Sequence, residues 1–430
     1  MSRSADEGLD CTHDPDTQSW VHNANLGGTD FPIQNLPLGR YRTSSTQAWR
    51  IGMAIGSSIL DLQLAGLIEH ADMAQLLSLP RGQMRSLRQS VWRGLRAGAP
   101  EQERWSQALR EQSEVQLGLP CPVGDFTDFY TGIAHARRVG TMLRPDQPLM
   151  SNYKWVPIGY HGRASSLIPS GQDFHRPRGQ TKPSATLAPE LRPSERLDYE
   201  LELALWMGQG NALGRAIGID QAQAHIAGIT LLNDWSARDI QAWEYQPLGP
   251  FLAKNFASTV SPWLVTLDAL LPFRCAPAGR ASGDPQVLPY LYSQDDQASG
   301  SWNIELEVWL QTQAMREIGQ KGQRLSRSGL RDAYWTAAQL VTHHTVGGCN
   351  LRTGDVLGTG TLSGALPGQE GCLLELSQGG SLPVQLGNGE TRSFLHDGDT
   401  VTLRAFCEAP GARGIGFGSC SATVMAPMDT

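Results

Sequence analysis

The stretch LDYELELALWMG, residues 197–208, decides how the chain reads. Its odd positions Leu197, Tyr199, Leu201, Leu203 and Leu205 are apolar, while its even positions begin Asp198, Glu200 and Glu202 before turning to Ala204 and Trp206. Successive residues of a strand point to opposite faces, so this period of two predicts a strand with both glutamates on one face. Residues two apart on a strand lie roughly 6.5–7 Å from each other. Carboxylates that close repel unless something positive lies between them.

Working outward, the 430 residues suffice for two or three domains and a large core. The 47 glycines and 26 prolines favour many tight turns and hence a β-rich fold. A net charge of −7 without a basic block excludes the concentrated positive face that nucleic acid needs. Seven scattered cysteines form no CxxC pair, which is expected of free thiols in a reducing compartment. The N-terminus lacks an apolar signal core, and the most apolar window, 51–68, is broken by Asp61 and Gln63. A cytoplasmic protein with no membrane partner is expected.

Residues 1–25 read as a loose polar leader. Residues 48–62 read as two strands across a Gly-Ser-Ser turn, and the pattern is helical from Leu64 to about Glu114. GLPCPVGD, 118–125, is a linker candidate and places a boundary near 118, giving parts 1–118 and 119–430. Beyond it short strands and glycine turns alternate, with strands expected within 396–406 and 414–426.

Several acids fall where apolar residues are expected. NDWSARDIQAWEYQPLG, 233–249, predicts a helix capped by Asn233 or Asp234, with Asp234, Arg238, Gln241 and Tyr245 in one polar stripe. An Asp–Arg pair on a solvated face would look similar, but the stripe has neither the Lys nor the Glu that surfaces favour. Asp128 and His135, seven apart, would share a helix face. WVPIGYHGRASSLIPSGQDFHRPRGQ, 155–180, reads as a long binding loop around Tyr160 and His161. Lys254 lies in an apolar run, either reaching to the surface or paired inside. Glu375 is expected in a buried strand, and Thr361 is a hydroxyl donor in a glycine-rich segment. Without Cys/His spacing for zinc, the acids Asp128, Glu200, Glu202, Asp234 and Glu375 suit a hard divalent cation, magnesium or calcium.

In this order the motifs DFTDFYTGIAH, VPIGYHGRASS, LDYELEL, NDWSARDIQAWEYQPLGPFLAKNF, VTHHTVGGCNLRTGD, GTLSG and LLELS resemble the fumarylacetoacetase family. SWV, DFPIQNLPLG and RIGMAIGSSILDL resemble that family's amino-terminal domain, so the resemblance spans nearly the whole chain. It implies a mainly β fold with some helices: a small SH3-like N-terminal barrel and a large catalytic domain with a mixed β-roll. It implies hydrolysis of the carbon–carbon bond of 4-fumarylacetoacetate to fumarate and acetoacetate, the last step of tyrosine and phenylalanine breakdown, by a homodimer.

Carried over by motif, the family's metal ligands fall on Asp128, Glu200, Glu202 and Asp234, with an outer cation near Lys254 and Ser258. Its base falls on His135 oriented by Glu375, and its charge-stabilising groups on Arg238, Gln241 and Lys254. Its substrate contacts fall on Tyr130, Arg144, Tyr160, Gln241, Tyr245 and Thr361. Where the family reads Gly-Thr-Thr, this chain has Ala257, Ser258 and Thr259. The alternatives are a related diketone or acylpyruvate hydrolase, against which the amino-terminal domain argues, and a non-catalytic cation-binding protein. The latter would need no base such as His135.

Overall fold

The structure, a computed structural model, describes residues 8–182 and 188–428. Its amino-terminal sheet is antiparallel and curls into a half-barrel. Five strands run in the order Leu109–Glu111, Ser58–Asp61, Arg50–Ile55, Leu38–Arg42 and Gln116–Leu117. The two strands expected within 48–62 are present, paired Met53 to Leu60 across the turn at Gly56. The helical reading of 64–114 holds for Met73–Leu77, Arg81–Leu95 and Gln102–Ser106, but Leu109–Glu111 pairs as an edge strand. Its partner Ser58–Asp61 lacks another neighbour on that side, and this pairing overrides the local helical pattern.

The leader is not loose where it is described. Residues 1–7 lie outside the described residues; from Asp10 the chain packs against helix Arg81–Leu95. Asp10 caps the turn Cys11–His13, Ser19 Oγ donates to Leu95 O at 2.7 Å, and buried Arg88 holds Thr12 and the carbonyls of Gln34 and Asn35. Polar residues that read as solvated are buried here because each finds a hydrogen-bonding partner.

The larger part holds a mixed eight-stranded sheet. Its path runs Gly159–Gly162, Phe126–Phe129, Val356–Gly358, Leu201–Met207, Ile226–Asp234, Ser258–Val260 and Leu167–Pro169, with Val265–Thr266 pairing off it. A second sheet of five strands contains Thr400–Cys407 and Ile415–Met425, as expected for those segments. Strands thus occupy much of 155–180, which read as a loop: Gly159–Gly162, Leu167–Pro169 and Phe174–His175 all join sheet edges.

The 197–208 stretch is buried on both faces. Leu201, Leu203, Leu205 and Met207 enter the core shared with the second sheet. Ala204 and Trp206 pack instead with Ile51, Met53, Leu60 and Trp92 of the amino-terminal part. The strand is also interrupted: Leu197–Asp198 pairs with Ser236–Ala237, and regular pairing resumes at Leu201. At the break the Glu200 backbone N–H donates to the Asn233 side chain, at Oδ1, 3.1 Å away, instead of to a backbone carbonyl.

Candidate active site

The sheet order brings the acids together. Asp128 is on Phe126–Phe129, opposite Gly358 in a parallel pair; Glu202 is on the next strand, and Asp234 ends the one after. Asp128 therefore comes from a strand and His135 from helix Ile133–Leu143, not from two turns of one helix. Asp234 likewise ends a strand, and only Arg238–Glu244 is helical. Residues 226–234 pair in the sheet, which overrides the capping pattern.

Oxygens of Asp128, Glu200, Glu202 and Asp234 lie within 4.8 Å of one another, and all four residues are buried. The backbone N–H of Gly360 donates to Asp128 Oδ1 at 3.2 Å and to Glu202 Oε2 at 3.0 Å. Gly358 leaves the necessary room: a Cβ there would lie 2.3 Å from Asp128 Oδ1. Burial, then the charge of Asp234, pushes the Asp128 carboxyl well up. Burial, then Asp128, does the same to Glu202. Glu202 Oε1 is buried without a hydrogen-bonding partner. Crowded carboxylates with an unsatisfied oxygen and only hard donors fit a divalent cation, which would lower all of these costs together.

Lys254 is paired inside. Its ammonium meets Glu200 and, at 2.7 Å, Asp234 Oδ2, and those charges outweigh burial and raise its pKa. A protonated ammonium has no lone pair, and in this arrangement Lys254 balances the charge of the carboxylates. Ser258 Oγ donates to Asp234 Oδ1 at 2.6 Å, and Tyr160 OH donates to Asp234 Oδ2 at 2.8 Å. Arg238 Nη1 donates to Glu200 Oε1 at 2.7 Å and to Gln241 Oε1 at 3.3 Å. Burial pushes the Glu200 carboxyl up, but Lys254 and Arg238 together hold it below the usual carboxylate range.

Beside the cage lies a second buried group. His135 Nδ1 and Glu375 Oε2 are 2.7 Å apart, and the Tyr130 ring stands edge-on to the imidazole at 5.3 Å. Glu375 is in a short helix, Leu373–Leu376, not a strand, because Asp198 accepts from the Leu373 and Leu374 N–H groups and turns the chain there. Burial raises the Glu375 carboxyl, but His135, Ser363 and Cys372 outweigh it and hold it at about 2. An ionised Glu375 accepts a hydrogen bond from Nδ1–H and leaves His135 Nε2 as the basic nitrogen.

The remaining expected residues are less central. Thr361 is buried beside Gly132 and Gly371. Tyr245 follows helix Arg238–Glu244 and is half-buried. Arg144 follows helix Ile133–Leu143, nine residues or roughly 13 Å of helix beyond His135, and no hydrogen bond ties it to the carboxylates. Sequence reasoning read Asn233 only as a helix cap and passed over Asp198, Arg138, Ser363 and Cys372. Asp198 was visible as the first acid of the even-numbered face; the others carry no pattern of their own.

Two family models match the chain, Fumarylacetoacetase N-terminal over 34–120 and Fumarylacetoacetate (FAA) hydrolase C-terminal over 126–425. The fumarylacetoacetase of Rattus norvegicus is 42% identical over 418 residues, covering 92% of this chain and 96% of the rat protein. That of Homo sapiens is 43% identical over 417 residues, with the same coverage. Among solved structures, a fumarylacetoacetate hydrolase from the psychrophile Exiguobacterium antarcticum superposes with a TM-score of 0.51 at 15% identity. It covers 91% of this chain and 99% of its own, a likeness of fold.

Proposed function

Because the chain belongs to the fumarylacetoacetase family, we propose that it hydrolyses 4-fumarylacetoacetate to fumarate and acetoacetate, the final cleavage of tyrosine and phenylalanine catabolism. The observation that carries the reading is the carboxylate cage set beside the His135–Glu375 pair.

Breaking a carbon–carbon bond with water requires a stabilised carbanion and an activated nucleophile. Asp128, Glu200, Glu202 and Asp234 would hold a divalent cation, which when bound would supply Lewis acidity. His135, fixed by Glu375 through Nδ1, takes a proton from water at Nε2. Arg238, Gln241 and Lys254 donate to the oxyanion that forms, an effect of about 10²–10³ in rate per donor in comparable sites. Arg238 is held for this task by Asp198, whose Oδ2 accepts from Nε at 3.0 Å. Tyr130, Arg144, Tyr160, Tyr245 and Thr361 meet the anionic and ketonic ends of the substrate.

Magnesium or calcium is the cation we propose, on the strength of the all-oxygen donor set. A homodimer is the proposed assembly; exposed Leu248, Phe251 and Leu252 beside the site support it. Ser258 is assigned to an outer cation through its contact with Asp234. A boundary at 118 and a cytoplasmic location complete the proposal. Substituting His135→Ala is expected to abolish turnover while leaving cation binding, measured by calorimetry, intact. Retained turnover would remove His135 from the mechanism.

A further inference from the structure

We propose a second cation site, of zinc type, formed by His135, Cys372 and Glu375 and separate from the carboxylate cage. His135 Nδ1 and Glu375 Oε2 are 2.7 Å apart, Cys372 Sγ and Glu375 Oε2 3.2 Å, and Cys372 Sγ and His135 Nδ1 4.0 Å. A point equidistant from the three atoms lies about 2 Å from each, the length of zinc–nitrogen and zinc–oxygen bonds and slightly under that of zinc–sulfur. Tetrahedral donors at those bond lengths stand about 3.3–3.5 Å apart, so the pairs must shift by roughly half an ångström to complete three sides of a tetrahedron. Ser363 Oγ, 2.7 Å from Glu375 Oε2, is a candidate fourth donor. Arg138 occupies the other Glu375 oxygen, at 3.2 Å, and its partly exposed guanidinium is screened by solvent.

The two sites differ in donor chemistry. The cage offers oxygen alone and suits hard cations, whereas the second set offers one nitrogen, one sulfur and one oxygen and suits zinc or cobalt. Magnesium in the cage leaves the second site free. On binding, the Cys372 thiol releases its proton to solvent and sulfur bonds to the metal. The Nδ1 lone pair of His135 does the same, which moves the imidazole proton to Nε2. An Nε2 that carries a proton cannot accept one from water, so zinc inhibits without displacing magnesium. That consequence rests on His135 being the base; the binding itself does not.

The test uses the full chain in excess magnesium, titrated with cobalt as a coloured stand-in for zinc, and assayed separately with zinc. A thiolate-to-cobalt charge-transfer band is expected in the parent protein and absent in Cys372→Ser. Zinc should inhibit the parent at concentrations about tenfold or more below those needed for Cys372→Ser, each measured against its own uninhibited rate. A variant with Ser at Cys11, Cys275 and Cys349, the cysteines that solvent reaches, should keep the band. It decides the question if Cys372→Ser does not fold. No band in the parent, a band surviving Cys372→Ser, or a band lost from the triple variant would overturn the site. A band without inhibition would leave the site standing and overturn the reading of His135 as base.

Discussion

Glu375 meets four donors at once, His135, Ser363 and Cys372 on Oε2 and Arg138 on Oε1. His135, Ser363 and Cys372 outweigh burial and move its carboxyl from 4.5 to about 2, a difference worth ~3 kcal/mol of folding stability. A depressed carboxyl contributes stability that is fully present above its unfolded value. That stability is lost as pH falls through the folded one. Urea unfolding of Glu375→Gln should therefore show a deficit at pH 7 that shrinks as pH falls from about 4.5 towards 2. A deficit that stays constant across that window would contradict the assignment. Residue identities at this scale were legible where a charged or aromatic type broke an apolar pattern, as at Glu200, Glu202, Lys254 and Glu375. Ser363 and Cys372 were not, because small buried residues of their kind occur throughout any core.

At the scale of elements, the cage exists because four adjacent strands and one break are in register. Val356–Gly358 separates the strands that carry Asp128 and Glu202, and only a glycine at 358 lets their carboxyls meet. Gly358→Ala should weaken cation affinity by about tenfold or more, read by calorimetry, while the far-ultraviolet dichroism stays that of the parent. Unchanged affinity would mean that the acids do not share an ion. The period-two pattern of 197–208 predicted the shared face of Glu200 and Glu202 correctly, yet not the interruption at residues 199–200. That interruption depends on the Asn233 side chain, 33 residues away. The same distance effect explains the helix read from 233. Its polar stripe is real from Arg238 onward, but pairing with Ser258–Val260 keeps Asp234 in the sheet.

Across the whole molecule, the amino-terminal half-barrel and the large sheet share one apolar cluster through Ala204, Trp206, Leu232 and Val356. The face that carries the catalytic acids thus continues into residues packed against the amino-terminal part, which ties the site's scaffold to that part's folding. Buried Arg88 links the leader, the half-barrel and helix Arg81–Leu95 through Thr12, Gln34 and Asn35. Arg88→Met should lower the unfolding free energy by ~1–3 kcal/mol, since it leaves two buried carbonyls unsatisfied. A change within error in chemical denaturation would show that the leader contributes nothing. The β-rich class, the two strands at 48–62 and the two C-terminal strands were legible from turn residues and alternation. The packed leader was not, because its burial depends on distant partners, as where His13 Nε2 meets the carbonyl of Asp268, 255 residues away, at 2.7 Å.

The central claim is that a carboxylate-held cation and the His135–Glu375 pair together cleave fumarylacetoacetate. Its most direct test follows the loss of fumarylacetoacetate absorbance by the purified chain, first as prepared, then with chelator, then with magnesium or calcium restored. The account predicts turnover that ceases with chelator and returns with either metal. Turnover that persists in a chelated protein shown to be free of metal would contradict it, as would a folded, metal-loaded chain that leaves the substrate intact.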